Sequence, residues 1–151
     1  MKKFILLLFF ISHLSAKDTF TPISDPDKLP KSALELWQGY DPRTEDLEVK
    51  IIEEWKTDEV TTRYLTYKVG RFKGIDSRVS AYYSFPNKPG KHPAFVWTHG
   101  GGQRAERNRS VYFAKQGFAH IDFHWLGRPV KEEIEANTDW GKVDPPQGPR
   151  F

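Results

Sequence analysis

The chain has 151 residues, a formal net charge of +3 and no cysteine. The lack of cysteine excludes a disulfide framework and an acylated lipoprotein signal. Positive and negative side chains are interspersed, so the electrostatic footprint of a nucleic-acid-binding protein is missing, while the 15% of aromatic residues suits a packed β-rich core or a surface that handles sugars.

The amino terminus has the order of a secretory signal. Two lysines precede an apolar run at residues 4–11, and small or polar residues lead to Ala16. A membrane anchor is the alternative, but the apolar run is shorter than the about 20 residues that span a bilayer, so no stable anchor is expected. Residues 1–16 are therefore predicted to be a signal peptide, and the protein to be secreted or periplasmic.

Residues 17–46 have the composition of an extended leader that contains one short helix. Ser32 and Glu35 form a capping box, in which each side chain hydrogen-bonds a free backbone amide of the first helical turn. Gly39 and then Asp41-Pro42 are signals that end a helix.

From residue 47 the pattern becomes extended. Three segments alternate apolar and polar residues or are rich in Thr, Tyr and Val, at 47–51, 61–69 and 77–85. Turn-forming residues separate them at 56–59 and at Lys73-Gly74. These features predict antiparallel strands that are joined by tight turns.

The next elements predict a parallel βαβ unit. Residues 93–98 are almost continuously apolar, as in a strand buried on both faces of a sheet. A helix is predicted at 105–116 with Gly117 as its stop, followed by a strand at 118–125 and a short helix at 129–136. Two long parallel strands would leave one exposed sheet edge, so residues 47–151 are interpreted as a partial α/β domain that is cut short.

The sharpest motif is His99-Gly100-Gly101-Gly102, which follows the predicted buried strand and precedes the helix. Ligands of open α/β sheets bind at that edge. Glycines bring bare N–H groups close to a reacting atom, and such donors stabilise the oxyanion that forms during acyl transfer. The motif predicts an oxyanion loop in which Gly101 donates, Gly100 and Gly102 shape the turn, and His99 fixes the loop.

Two other interpretations of this glycine run remain open. A phosphate-binding loop would need Lys-Ser, Lys-Thr or a spaced G-x-G-x-x-G, and Gln103-Arg104-Ala105 supplies none of them. A purely structural glycine turn is the second alternative.

Residues 60–141 carry a resemblance to the α/β-hydrolase superfamily. The segment 93–102, the helix after it, Asp122 and Gly127-Arg128 look like the oxyanion loop, helix and following strand of that family. The hairpin end at 82–86 is similar to the acetylxylan esterase and dienelactone hydrolase-like branch, and residues 137–141 resemble its secreted bacterial members. The resemblance implies the amino-terminal part of an α/β-hydrolase fold, with antiparallel hairpin strands leading into a parallel βαβ unit.

The resemblance also implies a Ser-His-Asp triad whose serine lies on a G-x-S-x-G elbow. The sequence contains no such elbow, and none of Ser77, Ser80, Ser84 and Ser110 is flanked by glycines. Only the oxyanion loop can therefore be transferred to this chain, which is expected to be inactive on its own.

His120, Asp122 and His124 occupy alternate positions and share one face of the predicted strand. They could be metal ligands or form a His-Asp couple. The preferred interpretation is that they hydrogen-bond the neighbouring glycine loop, and neither a metal nor a cofactor is expected. Asn108-Arg109-Ser110 is a glycosylation sequon.

Two functions follow as hypotheses. The first is the amino-terminal part of a secreted serine esterase that acts on acyl esters, with acetylated polysaccharide as a candidate substrate. The second is a non-enzymatic extracellular module that binds carbohydrate through exposed Trp and Tyr side chains. Neither hypothesis involves nucleic acid.

Overall fold

The computed structural model of the chain describes residues 23–101, 103–125 and 138–139. Their elements, in chain order, are a 3-10 turn (Pro26–Lys28), helix α1 (Ala33–Leu36), strands β1 (Lys50–Lys56), β2 (Val60–Phe72), β3 (Ile75–Pro86) and β4 (Ala94–Thr98), helix α2 (Arg107–Lys115) and strand β5 (Ala119–His124). The predicted signal peptide, Gly102, Gly127-Arg128 and the predicted helix at 129–136 lie outside the described residues.

The three antiparallel strands predicted from the sequence are confirmed. Strand β2 pairs with β1 on one side and with β3 on the other, and both pairings are antiparallel. The turn between β2 and β3 consists of Lys73 and Gly74, whose φ angles are +50° and +75°. Two consecutive residues with positive φ form the type I′ turn, whose twist matches that of a β-hairpin.

The βαβ unit is also confirmed. Strands β4 and β5 are parallel neighbours with α2 between them in the chain, and Gly117 after α2 has a φ of +93°. Strand β5 pairs with β3 in the antiparallel sense, so the five strands form one mixed sheet in the order β1-β2-β3-β5-β4. The α/β architecture of hairpin strands leading into a parallel unit is therefore present.

The prediction that residues 93–98 are buried on both faces is wrong. Val96 is 65% exposed and Trp97 is 41% exposed. Strand β4 lies at the sheet edge, and among the described strands it pairs with β5 alone. An apolar sequence indicates a strand, but it does not specify how many neighbours the strand has.

The leader differs from its prediction in detail. The Ser32 hydroxyl accepts from the Glu35 amide at 3.1 Å, but the Glu35 carboxylate reaches the amide of Lys31 and not that of Ser32. Helix α1 ends at Leu36, and Gly39 has a φ of +77°.

The first extended segment also differs from its prediction. Strand β1 begins at Lys50, so Leu47 and Val49 precede it and are exposed.

Within the described parts of the chain, no helix has the length and apolar character needed to cross a bilayer.

The two faces of the sheet differ in chemistry. Helix α2 covers a face that carries the buried polar residues of β5, together with a small core of Tyr64, Tyr82 and Ala105. The opposite face carries an open groove of about 400 Å³. Its lining, apart from Arg63, is aliphatic and aromatic: Leu47, Val49, Ile51, Leu65, Tyr67, Tyr83, Val96, Ile121 and Phe123.

Candidate active site

The glycine loop lies at the carboxyl end of the parallel strand pair. His99, Gly100 and Gly101 follow β4 directly, and the parallel register places the ends of β4 and β5 side by side. His124, the last residue of β5, therefore lies next to the first residue of the loop. This is the sheet edge at which open α/β sheets bind their ligands.

The His99 side chain is held on two sides by residues at the end of β5. Its Nε2 lies 2.8 Å from Nδ1 of His124, and its ring stacks on Trp125 with a centroid distance of 5.6 Å. The indole N–H of Trp125 donates to the His99 carbonyl at 2.8 Å. His99 is 4% exposed, so both the backbone and the ring are fixed within the protein.

The peptide unit between Gly100 and Gly101 is held by its carbonyl oxygen. The Gly100 carbonyl lies 2.8 Å from Nδ1 of His99 and accepts from the amide of Gln103 at 3.2 Å. The Gly100 amide donates to Oε1 of Gln103 at 3.1 Å. Both polar groups of Gly100 are thus used to shape the turn.

The Gly101 amide is different. In a trans peptide the N–H points away from the carbonyl of the preceding residue, so fixing the Gly100 carbonyl on the His99 side directs the Gly101 N–H to the other side. Gly101 is exposed, and its N–H has no hydrogen-bond acceptor within the described part of the chain. A Cβ at this position would meet no atom within 4 Å. An open space therefore lies next to a free backbone donor.

The three polar side chains of β5 share one face, as predicted, and all are fully buried. His124 contacts the glycine loop through His99. Asp122 accepts from the Glu106 amide at 3.1 Å and from the Arg109 guanidinium at 3.0 Å, both at the start of α2. The predicted bonds to the glycine loop are thus present for His124, whereas Asp122 bonds the helix.

His120 also bonds the helix. Its Nδ1 lies 3.2 Å from the hydroxyl of Ser110, and its ring packs against Phe95 and Phe113. Among the residues that the structure describes, no group of three or more His, Asp or Glu side chains is arranged to hold a metal ion.

Burial shifts the protonation of two of these groups in opposite directions. It raises the pKa of the Asp122 carboxyl, against the opposing effects of the Glu106 amide and the Arg109 guanidinium. It lowers the pKa of His120, and the nearby charge of Arg109 lowers it further. Both shifts favour the uncharged form of a group that has been removed from water.

A buried contact at residues 138–139 supports the end of β5. The Thr138 hydroxyl donates to the carbonyl of His124 and accepts from the amide of Ser80 at 2.9 Å. Asp139 then forms an isolated bridge with Arg78 on β3. This contact was not predicted, because a threonine separated by 58 residues from its partner leaves no local signal in the sequence.

None of the serines named above is placed as a nucleophile. Ser80, Ser84 and Ser110 are fully buried, and Ser77 is 8% exposed. The Ser110 hydroxyl lies within bonding distance of the carbonyls of Tyr82 and His120, at 3.3 and 3.2 Å. These hydroxyl groups satisfy backbone and side-chain partners in the interior.

The chain was compared with known proteins. No protein-family model matches it, and no curated protein matches it. One matching solved structure is acetyl xylan esterase 1 from Thermoanaerobacterium sp. JW/SL YS485, with 21% identity and a TM-score of 0.48 over 66% of this chain and 32% of that one. Another is an acetyl xylan esterase from Paenibacillus sp. R4, with 17% identity and a TM-score of 0.45 over 68% and 33%.

The chain thus spans about a third of the length of these two structures. Both structures are acetyl xylan esterases, the group that the sequence resemblance named, and each match covers part of this chain at a TM-score below 0.5.

Proposed function

We propose that this chain supplies the oxyanion-binding part of a secreted serine esterase, and that the Gly101 amide is the donor. The observation that carries the proposal is the N–H of the exposed Gly101, which has no acceptor among the described residues and lies at the carboxyl end of a parallel strand pair. In ester hydrolysis the carbonyl oxygen becomes negatively charged as the nucleophile adds. A donor that is already oriented toward that oxygen lowers the barrier without reorganising.

The surroundings of Gly101 support this role. The carbonyl of the same peptide unit is held by two donors, from His99 and Gln103, so the N–H keeps its direction when no substrate is bound. Gly101 has no side chain, and a Cβ added there would meet no atom within 4 Å. An acyl group could therefore approach the backbone closely.

Gly102 is proposed to complete the turn, with Gly100 shaping it from the other side. His99 acts as the residue that fixes the loop and not as a base, since both ring nitrogens already have hydrogen-bond partners. The nucleophile is proposed to lie on a segment outside these 151 residues, because no serine here has the G-x-S-x-G setting.

The proposed substrate is an acyl ester, and the acetyl group of an acetylated polysaccharide such as xylan is the candidate that follows from the sequence resemblance. The natural reading frame is expected to contain G-x-S-x-G within roughly the next 60–100 residues. Absence of that elbow would count against the proposal.

The decisive experiment compares two substitutions at one position in the full polypeptide of that reading frame. Gly101→Pro removes the N–H, whereas Gly101→Ala keeps it and adds a Cβ to open space. Loss of one oxyanion donor costs about 100- to 1,000-fold in kcat, so the Pro variant should fall that far below the Ala variant on p-nitrophenyl acetate. Equal rates in two folded variants would refute the role of this amide.

The same assay addresses the non-enzymatic alternative. The purified 151-residue chain should hydrolyse p-nitrophenyl acetate no faster than buffer, and clear turnover would contradict a missing nucleophile. Saturable binding of xylan by the 151-residue chain, combined with an inactive full polypeptide, would favour a carbohydrate-binding module.

A further inference from the structure

We propose that His124 is a positioning residue whose N–H, together with the Gly100 carbonyl, holds His99 in one tautomer and thereby maintains the direction of the Gly101 N–H. The two imidazoles are joined by a 2.8 Å contact between Nδ1 of His124 and Nε2 of His99, and both rings are buried. The functional consequence rests on the proposed oxyanion role of Gly101, whereas the tautomer can be tested by itself.

The Gly100 carbonyl determines which nitrogen of His99 carries a proton. A carbonyl oxygen only accepts, so Nδ1 of His99, at 2.8 Å, must carry the proton of that bond. In a neutral imidazole the second nitrogen then has a lone pair and no proton. Nε2 of His99 can therefore only accept, and the donor must be the Nδ1–H of His124.

The proton position on His99 is therefore coupled to the proton position on His124. If His124 presented a lone pair at Nδ1, His99 would need its proton on Nε2, and its Nδ1 would face the Gly100 carbonyl with a lone pair. Two acceptors would then oppose each other at 2.8 Å, and the peptide between Gly100 and Gly101 would lose one of the two donors that orient it.

The position of His124 is itself supported from the other side. Its carbonyl accepts from the Thr138 hydroxyl, and Thr138 in turn accepts from the Ser80 amide at 2.9 Å. The end of β5 is therefore fixed, and the His124 ring has a defined position relative to His99. The tautomer of His124, in addition to the packing of its ring, therefore affects the conformation of the glycine loop.

The test uses the uniformly ¹⁵N-labelled 151-residue chain and three substitutions. His124→Asn places an N–H donor the same number of bonds from Cβ as Nδ1, and His124→Gln places a similar donor one bond further out. His124→Leu removes the donor. Long-range ¹⁵N–¹H spectra at pH 8 report the protonated nitrogen of His99, and backbone spectra report the Gly101 amide.

The wild type and His124→Asn should both show His99 protonated at Nδ1, with closely similar Gly101 amide shifts. His124→Gln and His124→Leu weaken or remove the donor to Nε2 of His99, so both should show a larger fraction of His99 protonated on Nε2 and a displaced Gly101 signal. The idea is overturned if wild-type His99 carries its proton on Nε2, or if the Asn and Gln variants give the same spectra. If the Leu variant does not fold, the comparison of Asn with Gln still decides.

The functional consequence is read in the full polypeptide of the natural reading frame. There, His124→Gln should lower kcat on p-nitrophenyl acetate by about 100-fold, the typical cost of a small misplacement of a catalytic group, with recovery in His124→Asn and little change in KM. The spectra of His99 could match the expectation while Gly101→Pro and Gly101→Ala have equal kcat values. The proposed function would then be wrong, but the role of His124 in the loop would stand.

Discussion

At the residue scale, the interface between β5 and α2 is built from polar side chains where an apolar layer is usual. His120, Asp122 and Ser110 are fully buried there. Nε2 of His120 and Oδ1 of Asp122 have no hydrogen-bond partner among the described residues. A buried polar atom without a partner costs free energy. Because burial also shifts the pKa values of both groups, the stability of the interface depends on pH.

His120 should make the chain less stable in weak acid. Because burial lowers its pKa, the folded state binds fewer protons than the unfolded state as the pH falls below the ordinary value of about 6.5. The stability linked to His120 is therefore complete above that value and is lost as the pH falls toward the lowered pKa.

We expect His120→Asn to flatten the loss of stability below pH 6.5, even though the smaller side chain lowers the stability at every pH. Urea unfolding at several pH values measures the slope of the free energy of unfolding against pH. Asp122 contributes with the opposite sign, because its raised pKa favours folding in acid, but the wild type and the variant share that contribution. Parallel profiles for the two proteins would contradict the assignment.

At the element scale, the turn between β2 and β3 provides a test of backbone strain. Gly74 has a φ of +75°, and an added Cβ would meet no atom within 4 Å. Gly74→Ala should therefore cost about 1–2 kcal/mol through the backbone conformation alone. The matched control is Lys73→Asn, since Asn tolerates the positive φ at that position.

Urea midpoints of the three proteins decide the outcome. The Ala variant should unfold at a lower concentration than the wild type, and the Asn variant at the same or a higher one. An unchanged midpoint for Gly74→Ala would mean that the hairpin turn is not a type I′ turn in solution.

Local sequence signals predicted the strands, the turns and helix α2, because turn residues and alternation are properties of neighbouring positions. The approximate ends of β3 and the stop at Gly117 were predicted for this reason. The exposure of β4 was not predicted, since its apolar sequence is equally compatible with one or two neighbouring strands.

The candidate site was predicted in part. The glycine run and its place after a strand were visible in the sequence, whereas the contact of His99 with His124 spans 25 residues. The support from Thr138 spans 58 residues to Ser80. Contacts of this kind depend on which strands are neighbours, and periodicity does not contain that information.

At the scale of the whole molecule, the sheet face opposite α2 is an extended apolar surface. Leu47, Val49, Ile51 and Val96 on this face are each at least 50% exposed. Surfaces of this kind promote association or bind apolar ligands. The described sheet thus has one face covered by α2, with polar and aromatic residues, and one exposed apolar face.

We expect the 151-residue chain to bind the dye ANS and to self-associate, and Val96→Lys to reduce both. Val96 is 65% exposed, so the substitution removes apolar surface with little loss of packing. Tyr112→Lys is the control, because Tyr112 is 60% exposed and lies on α2, away from this face. Equal ANS fluorescence for the two variants would show that the groove is not the binding surface.

Among the described strands, the outer edge of β4 has no neighbour, and it determines from which direction another segment could approach the glycine loop. A further strand laid against β4 in the same direction would end about 4.8 Å to the side of His99, and the turn after it would face Gly101. A strand of opposite direction would place that turn about 16 Å away, at the far end of the five residues of β4. Strand polarity at this edge would therefore decide whether a neighbouring turn reaches the glycine loop.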